Sequence, residues 1–357
     1  MEPRAARLFE TSVVGSMPRT DFLRDLLDPE IGGKLPPGEY QKRMDAAVSY
    51  IIALQESAGL DVVTDGEWRR RSYIGVIADV LEGFDLTRRE GLWWHTVVRP
   101  LGPRRMGAVA EEVRFVRERT KRKVKATLPS PYLLGERMWD PEASRAAYAT
   151  RRAFTDALVP YLREEFQRVV EAGADVVQFD DPHICLFVDE RVRRASPDPE
   201  GELDYAVGLL NAILEGIEAP RTAIHLCRRN KGRAGWVGEG GYGPLLPFLR
   251  KLRVDEFLLE FTIPVAGDTS VLAELPATAR IGLGCVDCRS EIIDSPETIV
   301  ERVEKALRHV APERLSLNPD CGFAPGSAAD IPIGEAFKKL RNEVAAAEIL
   351  RRRIPVS

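Results

Sequence analysis

Short apolar runs alternate along this chain with longer stretches of helical spacing. Eight runs read as strands: 12–16, 61–64, 124–128, 175–179, 222–227, 256–261, 280–286 and 314–318, each closed by Gly, Pro, Asp or a polar cluster. Between them lie amphipathic patterns. Residues 46–58 carry Ala46, Ala47, Tyr50, Ile51 and Leu54 at helical spacing. Residues 152–171 carry Phe154, Leu158, Tyr161, Leu162, Phe166, Val169 and Val170 on one side, with a kink expected at Pro160. Residues 296–309 open with Ser295 and Pro296, a cap and first-turn pair, and then place Ile299, Val303 and Leu307 four apart. Strands alternating with helices point to a parallel sheet. Eight such units in a chain of this length point to the α/β class and a (β/α)₈ TIM barrel.

Residues 70–123 break the rhythm and read as an irregular insertion between the second and third strands. Within it Trp93, Trp94 and His95 precede Thr96-Val97-Val98-Arg99-Pro100, which reads as an extra strand or hairpin. No repeat, low-complexity run or interdomain linker stands out, so residues 1–357 are expected to form a single catalytic domain.

Composition narrows the function. Apolar residues make up 44% of the 357, enough for a sizeable core. Lys and Arg number 51 against 55 Asp and Glu, for a net charge of −4. One basic cluster (Arg117, Arg119, Lys121, Arg122 and Lys123) does not outweigh that balance, so no nucleic-acid partner is expected. No apolar stretch reaches the roughly eighteen residues of a membrane span. Met1-Glu2-Pro3-Arg4 lacks the apolar core of a signal peptide, so a cytoplasmic location is expected. Five cysteines, an odd number, fit reduced thiols or metal ligands rather than a disulfide framework.

Chemistry gathers at the strand ends, where barrels of this kind keep their working residues. They carry Gly15-Ser16, Asp65-Gly66-Glu67, Pro129-Ser130, Asp180-Asp181, His225-Leu226-Cys227, Glu260, Asp287 and Asp320-Cys321. A strand repeats every two residues, so His225 and Cys227 point to one face. Glu260 and Cys321, arriving from other strand ends, would complete the tetrahedral N/S/O set that zinc prefers. Such a zinc would hold and activate a thiolate. Cys285 and Cys288 sit three apart with no second pair, which fits ordinary buried thiols.

The same positions carry a resemblance. Val14-Gly15-Ser16-Met17-Pro18, Asp65-Gly66-Glu67, Gln178-Phe179-Asp180-Asp181-Pro182, His225-Leu226-Cys227, Glu260 and Asn318-Pro319-Asp320-Cys321-Gly322 resemble, in order, the catalytic C-terminal half of the cobalamin-independent methionine synthase family. Asp65-Gly66-Glu67-Trp68-Arg69-Arg70, His225-Leu226-Cys227-Arg228-Arg229-Asn230 and Glu239-Gly240-Gly241-Tyr242 are similar to its short, stand-alone members. The resemblance implies zinc on His225, Cys227, Glu260 and Cys321. It also implies homocysteine near Ser16, Glu67 and Asp180. Arg228 and Arg229 lie beside the zinc ligands, so one of them is expected on an anionic substrate group, and Arg228 is the candidate. A carboxylate pair suits the ammonium of an amino acid.

Two departures bear on the reaction. The long synthase's N-terminal half is not matched, which leaves a methylcorrinoid, free or on a corrinoid protein, or a simple methyltetrahydrofolate as donor. The family's His near the end of strand seven is replaced by Arg289, a poor proton donor. Asp287 and His183 then become the candidate acids. A corrinoid donor needs no such acid, so this departure leans toward it. Two other readings stay open: alkylation of another thiol, such as coenzyme M by epoxide opening, and a non-catalytic thiol- or zinc-binding barrel. Oligomeric state is not legible.

Overall fold

The computed structural model describes residues 7–89, 92–324 and 331–354, so Met1–Arg4 lie outside the described residues. Among the described residues ten strands follow one another: β1 (Glu10–Thr11), β2 (Val62–Val63), β3 (Leu81–Arg89), β4 (Leu92–Pro103), β5 (Lys123–Pro129), β6 (Val176–Asp180), β7 (Thr222–Leu226), β8 (Glu256–Glu260), β9 (Arg280–Val286) and β10 (Leu315–Pro319). Eight of them pair in parallel in the order β1-β10-β9-β8-β7-β6-β5-β2. A parallel bridge between Ser12 and Val62 joins the two ends and completes the (β/α)₈ ring.

Each expected strand overlaps or adjoins an observed one. The first is displaced: β1 ends at Thr11, and 13–16, although apolar, leave the ladder and carry Ser16 over the barrel end. The helix expected over 46–58 begins earlier, at Pro37, and runs to Ala58. The helix Arg151–Glu171 continues through Pro160. Its buried face of Phe154, Leu158, Leu162 and Phe166 holds it on the core despite the missing N–H. Ser295 caps Pro296–Ala306 through Thr298 N, as the sequence signals.

The stretch between β2 and β5 is more ordered than its sequence suggests. It holds helix Val76–Val80, the antiparallel hairpin β3–β4 and helix Ala108–Arg117. The extra strand expected over 93–100 is β4, and the hairpin is present; its partner β3 carries a register shift between Glu82 and Phe84 that interrupts the period-two pattern.

Strand alternation divides the barrel. Outward residues such as Val177, Phe179, Ile224, Leu226, Phe257, Leu259, Ile281 and Leu317 join the helices in the main core. Inside, Val176, Ala223 and Leu258 form a small separate apolar layer. At the N-terminal end of the lumen, Glu10 pairs with Lys123 and with Arg221 at 2.6 Å, and Arg221 also reaches Glu256 at 3.4 Å. The functional positions occupy the opposite, C-terminal end. No described helix is long and apolar enough to cross a membrane.

The β1–β2 seam is short, and one side chain completes it. Gln55, fully buried, donates to Thr64 O at 2.8 Å and accepts from Thr64 N at 3.0 Å, standing in for a strand partner just past β2. Gln55→Leu would leave both backbone groups dry. A loss of about 2–4 kcal/mol is expected, since each unpaired buried group costs ~1–3 kcal/mol. A lowered melting temperature checks this, and an unchanged one refutes it.

Candidate metal and substrate site

His225 ends the lumen face of β7, Cys227 follows one residue beyond that strand, and Cys321 follows β10. Their ligand atoms lie within 4.8 Å of one another, and all three residues are buried. Neither ring nitrogen of His225 has a hydrogen-bond partner. A buried imidazole with two bare nitrogens is costly unless something ligates it. The hydrogen bond with Cys321 and the adjacent His225 draw the Cys227 thiol well below its ordinary range, toward the thiolate that binds metal. One nitrogen and two sulfurs fit a zinc with a position left for a further ligand.

Glu260, expected as the fourth ligand, lies outside that cluster. It is fully buried at the end of β8, where Arg228 N donates to its Oε2 at 2.7 Å and Arg228 Nη1 lies 3.3 Å away. Its Oε1 is paired with Arg289 Nη2. Arg289 also reaches Asp320 at 3.5 Å. A carboxylate buried this deeply needs opposite charge, and two guanidiniums supply it.

Arg228 is not at the substrate face. It is fully buried, donating to Gly240 O at 2.7 Å and to Tyr242 Oη at 3.0 Å, with its guanidinium 4.4 Å from the Tyr242 ring centre. Arg229 lines the cavity instead. Arg229 lies three residues past the end of β7 in a left-handed turn, where strand alternation no longer assigns a face.

A cavity of about 210 Å³ opens on the metal-ligand cluster. Its walls include Ser16, Glu67 and Asp180, three of the substrate residues expected from sequence, together with Tyr73, Arg137, Arg229 and Asn230. Glu67 has a left-handed backbone, φ +56°, a strained state for a non-glycine residue and one that marks functional positions. Thr127 Oγ1 donates to Glu67 Oε1 at 2.9 Å, and Arg70 Nη1 donates to the same hydroxyl at 3.0 Å. Arg70 is paired with Glu112 and Arg69 with Asp45, so neither forms an ion pair with Glu67, although the Arg70 charge favours its carboxylate. Glu67 Oε2 is buried without a partner, and burial raises the carboxyl's pKa. A Cβ at Gly15 would sit 2.5 Å from Glu67 Oε1, so only glycine leaves room there.

Asp180 and Asp181 divide their work. Asp180 lines the cavity, accepts from Gln178 Nε2 at 2.7 Å, and is pushed up to about 7 by burial. Asp181 caps the short helix Pro182–Cys185 through Ile184 N. Ser16 Oγ accepts from Ala324 N at 3.2 Å and packs so tightly on Gly322 that a Cβ there would lie 2.3 Å away.

Asp287 and His183, the candidate acids, do not line the cavity. Asp287 Oδ1 accepts from Arg289 N at 2.7 Å and from Ser290 N at 3.3 Å, holding the turn after β9. His183 follows Pro182 of the cavity wall. Burial, with Arg229, Arg137 and Arg151 nearby, pushes its pKa down to about 3. Sequence reasoning missed Tyr73 and Arg137. Tyr73 falls in the stretch read as irregular, and Arg137 lies nearly two turns into helix Pro131–Met138, past the strand end where the search stopped. Cys285 and Cys288 are buried free thiols, as expected.

Comparison with known proteins gives the family. Residues 9–349 match the family described as cobalamin-independent synthase, catalytic domain. A methionine synthase of Thermococcus kodakarensis is 26% identical over 97% of this chain and 95% of its own length. One from Pyrococcus abyssi is 27% identical, over 97% and 94%. The B12-independent methionine synthase of Shewanella sp. W3-18-1, solved in complex with selenomethionine, superposes with a TM-score of 0.79 at 25% identity, covering 97% of this chain and 98% of that one. A putative vitamin-B12 independent methionine synthase from Listeria monocytogenes shares the fold, with a TM-score of 0.73 at 24% identity over 98% and 99% of the two chains. The chain therefore belongs to the cobalamin-independent synthase catalytic-domain family, a family of methyltransferases.

Proposed function

We propose that this protein methylates homocysteine to methionine, with a zinc ion on His225, Cys227 and Cys321 and methyltetrahydrofolate as donor. The observation that carries this reading is one cavity in which the His–Cys–Cys cluster meets two buried carboxylates that, among the described residues, form no ion pair. The barrel and its hairpin are read as one catalytic unit. Five unpaired, buried thiols fit a reducing, cytoplasmic setting.

When bound, zinc supplies a Lewis-acidic centre that keeps a thiol sulfur as thiolate at neutral pH. Glu67 and Asp180 take the substrate ammonium, and the strained turn at Glu67 with the Arg70–Thr127 relay fixes the first of them. Ser16 holds the opposite wall. Selenomethionine in the Shewanella complex is the selenium analogue of the proposed product. The family's description sets cobalamin apart from the reaction, which favours the folate over a corrinoid donor or a corrinoid-protein partner. Asp287 is tied to its turn, and His183 is neutral at pH 7, so neither is assigned as the acid.

The deciding experiment measures methionine formation from homocysteine by zinc-loaded protein, with methyltetrahydrofolate and methylcobalamin in parallel. Product with the folate supports the proposal. Product with methylcobalamin alone replaces the donor, and silence with both refutes methionine synthesis.

Three further outcomes are expected. Cys321→Ser removes one of two thiolates, so zinc content and methyl transfer fall together; full activity in zinc-free protein would sink the metal reading. Glu67→Gln raises the KM for homocysteine about tenfold to hundredfold, the loss of one charge-assisted contact, while zinc content stays unchanged. For His183, the folded pKa of about 3 lies below the unfolded value near 6.5. Its contribution to stability is present above about pH 6.5 and is lost as pH falls toward the folded value. NMR of its imidazole should show no transition between about pH 5 and 8; a midpoint near 6.5 would contradict the buried, cation-flanked setting.

A further inference from the structure

The cavity contains two arginines that the reaction described above leaves without a task. Arg137 and Arg229 both line it. Neither has an acidic partner among the described residues, whereas three neighbouring arginines do. Arg70 has Glu112, Arg228 has Glu260, and Arg289 has Glu260 and Asp320. Arg137 Nε is buried with no hydrogen-bond partner. The guanidinium of Arg137 lies 4.2 Å from the ring centre of Trp94, so the β3–β4 hairpin fixes its position by cation–π contact and leaves its donors free.

Arg229 sits in the left-handed region at φ +59°, a cost that a merely exposed arginine has no reason to bear. That backbone state places it on the cavity wall immediately after buried Arg228. Burial and the neighbouring Arg229 cation together lower the pKa of Arg137, the signature of two like charges sharing a partly dry space. Like charges held together with free donors are stabilised by an anion between them, and the planar fork of guanidinium suits a carboxylate or another oxyanion.

We propose that Arg137 and Arg229 form an anion subsite in the metal cavity that binds the acid group of a small-molecule ligand. It stands opposite in charge to Glu67 and Asp180, so the cavity recognises both ends of a zwitterion or the acidic end of a donor. The proposal builds on the reading of the cavity as a thiol methyltransferase site, but rests on geometry that holds without it. Arg228, expected from sequence to serve an anion, is replaced in that role by its neighbour and by a residue from a different strand's helix.

The test uses zinc-loaded full-length protein, wild type, Arg137→Gln and Arg229→Gln, with zinc content and melting temperature confirming intact folding. Calorimetry follows homocysteine, 3-aminopropane-1-thiol (the same thiol without its carboxylate), methyltetrahydrofolate and inorganic sulfate. Each variant is expected to weaken the acid-bearing ligand about tenfold to hundredfold. A loss confined to homocysteine, with the aminothiol unaffected, identifies the acceptor's carboxylate. A loss confined to methyltetrahydrofolate identifies the donor's acid group. Equal affinities in wild type and both variants for every ligand overturn the subsite. If wild type binds neither homocysteine nor the folate, the proposed function falls. Sulfate then decides the subsite alone: arginine-dependent binding supports it, and absent or arginine-independent binding overturns it.

Discussion

A parallel barrel sends every second residue of each strand into a narrow lumen, and a charge placed there must find an opposite charge within the protein or receive one from outside. This chain places many charges there. At the N-terminal end Glu10, Lys123, Arg221 and Glu256 satisfy one another. Around the rim of the other end Arg228 and Arg289 grip Glu260, and Arg289 extends to Asp320. The apolar layer of Val176, Ala223 and Leu258 lies within the lumen as a patch apart from the main core. These lumen and rim charges are therefore matched within the protein, while several open groups gather in one cavity.

That place is the cavity at the strand C-terminal ends. There His225 has two bare nitrogens, Glu67 has a bare buried oxygen, and Asp180 is raised to about 7 by its burial. The fold that neutralises charge elsewhere leaves these groups unsatisfied together, so the proposed metal on His225 and a cationic ligand group beside the two carboxylates would satisfy them together. Strain is placed with them: Glu67 and Arg229 are two of the three described non-glycine residues with positive φ, and both line the cavity. Backbone cost and unpaired polarity at one address are what a binding site requires, and the family match gives that address its chemistry.

Much of this was legible in the sequence because period-two alternation and strand-end position are local properties. They located the eight strands, the His225–Cys227 pair, Cys321, Ser16, Glu67 and Asp180. What escaped depends on contacts between segments far apart in the chain. Glu260 sits at a strand end as expected, yet its partners come from residues 228 and 289, and no spacing rule announces that both guanidiniums converge on it. Arg137 was passed over because it acts from within a helix, held by a tryptophan from the hairpin. The hairpin was anticipated only in its second strand, at 93–100; its partner β3 and the flanking helices were not, because their pairing joins segments that no local period links.

Arg289 shows how one replacement is absorbed by its surroundings. The resemblance sets a histidine at this position, a group able to gain and lose a proton near neutrality. Arginine has no such capacity, but it brings a permanent charge and a fork of donors. Here that fork reaches Glu260 and Asp320, with Arg228 on the other side of Glu260. Two carboxylates then face two guanidiniums, and the group of four is electrically balanced. A carboxylate so engaged is a weaker donor to a cation than a free one, because binding it would first break two buried ion pairs. On the proposed zinc, the charge that holds a divalent ion would then fall to the thiolates of Cys227 and Cys321. The replacement thus does more than remove a proton carrier: it ties Glu260 into a buried ion-pair group.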